Sequence, residues 1–108
     1  MAIIKHPDAS TALVKYRDKY TSADDQVGRS LDKFSAQRTM LTTMANPASE
    51  EGQLIADIIE TADLPENANN EAWKVLKAEA VLAKAALDER LASYDTAAPV
   101  LAGLRAST

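Results

Sequence analysis

The side chains best suited to catalysis are few and poorly placed for it. His6 is the only histidine among 108 residues, and cysteine is absent. A hydrolase triad or a histidine-anchored metal needs an imidazole held by neighbours in a dry pocket, whereas a terminal histidine next to Pro7 reads as a solvent-exposed one. Carboxylate-bridged metal bundles need a Glu-x-x-His pair on each of two helices, which one histidine cannot supply. Acids do stand in pairs, at Asp24/Asp25, Glu50/Glu51 and Asp88/Glu89. Adjacent side chains on a helix diverge by about 100°, so such pairs do not converge on one proton. Two of the pairs fall where helices are expected to begin, and the helix macrodipole favours acids there. Asp63, Glu66, Asn67, Asn69 and Asn70 lack the EF-hand spacing and its glycine. The three glycines stand singly at 28, 52 and 103, so no phosphate loop, dinucleotide fingerprint or nucleophile elbow is present. The expectation is a protein that is not an enzyme and holds no cofactor and no metal.

Charge narrows the remaining classes. The chain carries 12 basic and 16 acidic residues, net −4, which disfavours direct nucleic-acid binding through phosphate neutralisation. Lys15, Arg17 and Lys19 do not make a patch, because Arg17 points away from the two lysines on a helix and Asp18 lies among them. Residues 1–46 hold seven basic and five acidic side chains, and residues 47–108 hold five and eleven. From Glu50 to Glu71 there are seven acids and no Lys or Arg. Within that run Asp57, Glu60 and Asp63 repeat at three-residue steps and form a candidate acidic face.

The elements that must position these residues read as helices. Twenty-one alanines against three glycines and four prolines favour helix by propensity, and the apolar spacing agrees. One helix is expected over about 8–20, with Ala9, Leu13, Tyr16 and Tyr20 on one face. A second, over 22–45, opens on a capping-box-like Ser22-Ala23-Asp24-Asp25 and carries the seam Val27, Leu31, Phe34, Arg38, Leu41 and Ala45. A third, over 47–64, takes Asn46 as its cap and ends at Leu64-Pro65; its stripe is Leu54, Ile55, Ile58, Ile59 and Ala62. The fourth, over 68–95, carries Trp73, Leu76, Ala80, Ala83, Leu87, Leu91 and Tyr94. Residues 96–108, interrupted by Pro99 and Gly103, are expected to be an irregular extension. The fold class is therefore all-α, a small four-helix bundle-like domain over 1–95 with that extension, and Leu31, Phe34, Ile55, Ile58, Leu76 and Leu87 are expected in its core.

Several side chains exceed what one core face needs. Val75 and Leu82 lie about 130° from the centre of the last helix's main face, which fits either a central helix or a subunit interface. Met40 and Met44 fall beside the second helix's seam, and either fill a core gap or meet a partner. Arg38 stands in the seam itself; it snorkels to water or forms an ion pair with a partner or with the acidic third helix. Val100, Leu101 and Leu104 give the extension apolar groups suited to a docking arm.

These features point to a helical protein–protein interaction module, a subunit or adaptor of a larger assembly such as a virus-particle connector, with a protein partner or a second copy of itself. The alternative is an acidic decoy whose Glu50–Glu71 segment occupies a basic surface on a nucleic-acid-processing protein. No apolar run reaches the roughly 18 residues of a membrane span or the length of a signal-peptide core. The expected location is the cytoplasm, or a virus particle or other assembly made there.

Overall fold

The structure, a computed structural model, describes residues 3–106 and the side chains of residues 3–103. It is all-α, with α1 (His6–Arg29), α2 (Phe34–Ala45), α3 (Glu50–Ala62) and α4 (Glu71–Ala106), and 3₁₀ turns at Leu31–Lys33 and Pro65–Asn67. Among the described residues there is no strand.

Contacts along the helices give their directions. α1 and α4 run parallel: His6 lies against Ala72 and Trp73, Arg17 faces Glu79, and Asp24 meets Arg90 and Tyr94. α3 runs against both, since Ile4 meets Thr61 while Lys19 meets Glu51, and Asp63 meets Lys77. α2 returns from α1 through the turn at Ser30, with Gln26 bonded to Gln37, and Phe34 stacks on Tyr94. Thus α2 and α3 lie end to end as one broken column between α1 and α4. The expected four-helix arrangement is corrected to three columns, because two short helices together span the length of α1.

The molecule is correspondingly long, 59 × 21 × 17 Å with a radius of gyration of 16.5 Å, against about 13 Å for a compact chain of this size. At about 1.5 Å per residue α4 runs roughly 54 Å, close to the full length. Its stripe Trp73, Leu76, Ala80, Ala83, Leu87 and Tyr94 is buried, as is Ala9, Leu13, Tyr16, Tyr20 on α1 and Ile55, Ile58, Ala62 on α3.

Three boundaries differ from those read in the sequence. Ser22 starts no helix: α1 runs through it, because Ala23 is fully buried and extends the α1 stripe by one more turn. The break falls at Ser30, whose backbone is extended (φ −156°, ψ 119°). That break resets the phase of α2, so its buried face is Phe34, Leu41 and Met44, and the seam drawn across residues 27–45 merges two faces. Leu31, expected in the core, is 54% exposed, and Arg38 is exposed too.

The second boundary is the start of α3. Asn46 caps the end of α2, and its Oδ1 accepts from the Ala48 N–H at 2.9 Å. Ser49 is the N-cap, accepting from the Gly52 N–H at 3.0 Å. The turn is so tight that a Cβ on Gly52 would lie 2.2 Å from the Asn46 carbonyl oxygen and 2.8 Å from Pro47 Cα. Only glycine admits that approach.

The third is the C-terminal segment. The irregular extension over 96–108 is overturned as far as Ala106, because α4 continues through Pro99. Proline in a helix interior removes one hydrogen bond and costs about 3 kcal/mol. Ala97, Ala98 and Leu101 still pack on the core on either side of it, which offsets that loss. Ser107 and Thr108 of the expected extension lie outside the described residues.

Urea unfolding tests these assignments. Gly52→Ala is expected to lower stability by about 1–3 kcal/mol through overpacking at the α2–α3 turn, and Ser49→Ala by about 1 kcal/mol through loss of the cap. Leu87→Ala should cost about 2–5 kcal/mol, and Leu31→Ala, lying outside the core, well under that range.

Candidate interaction surface

Several polar contacts fasten one column to another. Among the described residues no three His, Asp or Glu side chains gather as metal ligands, and no helix is long and apolar enough to cross a membrane. His6 is not an idle solvent-facing ring. It packs edge-on against Trp73 with centroids 5.2 Å apart, and its Nε2 lies 3.3 Å from the Ala72 carbonyl oxygen. The imidazole thereby ties the start of α1 to the start of α4.

A second tie, at the other end of the seam, was not legible in the sequence. Arg90 of α4 lays its guanidinium 4.3 Å from the Tyr20 ring centre and donates from Nε to Asp24 at 2.8 Å. The Tyr94 hydroxyl donates to the same carboxylate at 3.2 Å, while the Tyr94 ring stacks on Phe34 at 5.1 Å. Asp24, read in sequence as a capping acid, is an inter-helix partner instead. Its one visible signal is its place one turn after Tyr20, at the edge of the α1 stripe. Burial, the Asp24 charge and the hydrogen bond to Asp24 together push the Tyr94 phenol up to about 12, with Arg90 opposing.

The acidic segment from Glu50 to Glu71, which holds the expected acidic face, is partly neutralised. Asp63 accepts from Lys77 at 2.6 Å, and Glu51 is hydrogen-bonded to Lys19, which holds its carboxyl below the usual value against some desolvation. Asp57 is half-buried and Glu60 exposed. Arg38 neither reaches the third helix nor waits for a partner: its Nε and Nη2 each bond Asp95 of α4 at 2.8 Å. Met44 is fully buried, and Met40 is half-buried against the core. Leu101 is likewise half-buried against the core, and the Leu104 side chain lies outside the described residues.

Exposed aliphatic side chains include Ile3, Leu31 and Val81, and a further group lies on the seam between α1 and α4. Leu82 is 68% exposed, Val75 54%, and Val14 of α1 52%. Ser10, Val14 and Arg17 share the α1 edge of this seam by helical spacing, and Val75, Glu79, Leu82 and Ala86 share the α4 edge. An open groove of about 390 Å³ begins it, lined by His6, Ser10, Glu71, Ala72, Val75, Leu76 and Glu79. Val100, 63% exposed, lies farther along α4. Val75, Leu82 and Val100, singled out in the sequence, are exposed, and Val14 is an exposed residue of the same seam that the sequence reading did not include. Val14 was missed because only the parallel pairing of α1 with α4 brings it to this edge.

Two measurements test the buried phenols. The raised Tyr94 value means that the native state favours the neutral phenol. Its stabilising contribution is full below the unfolded value near 10 and is lost as the pH rises through about 12; equilibrium unfolding should show falling stability over that window, less steeply in Tyr94→Phe. The Tyr16 hydroxyl is buried with no hydrogen-bond partner. Tyr16→Phe should therefore leave stability unchanged or raise it by up to about 1 kcal/mol. Comparison of the chain with protein-family models, with curated proteins and with solved structures finds no match.

Proposed function

We propose that the chain is a non-enzymatic helical interaction module, a subunit or adaptor of a larger protein assembly, and that it docks through the α1–α4 seam. The observation that supports this reading is the exposure of Val14, Val75 and Leu82 together on one edge of the domain. A helix in a three-column domain needs one buried stripe, which α4 already has. Aliphatic side chains at a second edge contribute nothing to that core, and their exposure is useful only when another surface covers them. The fourth position of a bundle lies over this seam, so the natural occupant is a helix that completes the packing.

A photo-crosslinking residue at position 82, compared with one at position 60 on the acidic face, tests the proposal. Crosslinking to a protein in a fixed ratio from position 82, resistant to salt, is the expected result. Capture from position 60 alone, weakening steeply with salt, replaces it with the acidic-decoy reading. Val75→Lys should abolish the crosslink from position 82 while circular dichroism and melting temperature stay near those of the parent, because Val75 lies outside the core.

A further inference from the structure

We infer that the occupant of this seam is a second copy of the chain, related by a two-fold axis that pairs the two α4 helices antiparallel. The inference rests on the docking-face reading above and adds the identity of the partner and its register. Val75, Leu82, Ser93 and Val100 are separated by seven, eleven and seven residues, and each of those steps returns a helix to within about 20° of the same direction. They form one straight line down α4. Turned end for end, the line matches itself: Val75 meets Val100 of the partner subunit, and Leu82 meets Ser93 of the partner subunit. A surface that is its own complement under a two-fold rotation is what a closed dimer requires.

The length of α4 supports the same register. Asp24 lies beside Arg90, and α1 ends at Arg29, so the described part of α4 runs about ten residues past the α1–α2 turn, roughly 15 Å. In the proposed pairing, that overhang of each copy lies along residues 69–79 of the other. There the groove beside His6, Ser10 and Val75 receives Val100 of the partner subunit. Two helices of about 54 Å laid side by side, with the α1 edge included, cover on the order of 700 Å² per copy, close to the roughly 800 Å² per partner of stable complexes. Glu89 opposes this register and so reports on it. It sits about 30° from the centre of the line, forms no ion pair among the described residues, and would approach Glu89 of the partner subunit to within about 5 Å along the axis. This like-charge contact weakens the dimer without preventing it.

Sedimentation equilibrium of the full chain, from micromolar to millimolar concentration, should show reversible doubling of the 11.6 kDa mass. Leu82→Lys should weaken the dimer on the order of 100-fold by burying an unpaired charge twice. Glu89→Gln should tighten it by about tenfold by removing the central repulsion. The chain has no cysteine of its own, so engineered ones report register. Under oxidation, a mixture of Val75→Cys and Val100→Cys chains should give a crosslinked heterodimer, while neither variant alone crosslinks to itself. Self-crosslinking of each variant alone would mean parallel pairing and overturn the register. A monomer at every concentration, with Glu89→Gln also monomeric, overturns the dimer. If position 82 still crosslinks to a different protein in that case, the docking-face reading stands; if it crosslinks to nothing, both fail.

Discussion

The buried stripe of α4 is the constraint on which the other elements depend. It continues from Trp73 to Tyr94 with further apolar support to Leu101, so some thirty residues of one helix face must be kept from water. No other helix is that long. α1 covers one side with an unbroken run of 24 residues, and the other side is covered by α2 and α3 placed end to end. Every helix therefore touches α4, and its alanines at 80 and 83 allow close approach where the columns converge.

The same constraint gives the short turn between α2 and α3 its chemistry. Two helices laid in line leave little room for the chain between them, so the polar ends must be satisfied locally. Asn46 and Ser49 do this from either side, and Ser49 also donates to the Asn46 carbonyl oxygen at 2.6 Å. Gly52 lets the first turn of α3 press against the backbone of Asn46 and Pro47. The glycine is there for contact, with no need of an unusual backbone angle, since no residue of the described chain has a positive φ.

Ion pairs and rings set alignment more than they add stability. Arg38–Asp95 and Lys77–Asp63 are largely exposed and are each worth little by themselves. Their value is positional: with His6 against Trp73 at one end and Asp24, Arg90 and Tyr94 at the other, α1 and α4 are held in one register along their shared length. That register places Val14 beside the line of Val75 and Leu82. The surface proposed to dock is in this sense a product of the ties beneath it.

The helical class and the buried stripes of α1, α3 and α4 were legible from spacing alone, because a 3.6-residue period is a local property written in consecutive residues. The Ser22 and Ser30 alternatives were not separable locally: both are serines followed by acids or apolar groups that suit a new helix, and burial of Ala23 against other columns decided between them. Once the break moved to Ser30, Met44 turned inward and Leu31 outward, since the phase of a helix is set by where it begins. Pro99 reads locally as a stop, yet the packing of Ala97, Ala98 and Leu101 outweighs one missing hydrogen bond. Which acids are partnered, and which apolar side chains remain uncovered, belongs to the tertiary structure alone. Those properties depend on contacts between residues more than fifty positions apart, such as Asp24 with Arg90, and no local pattern records which distant residue will arrive.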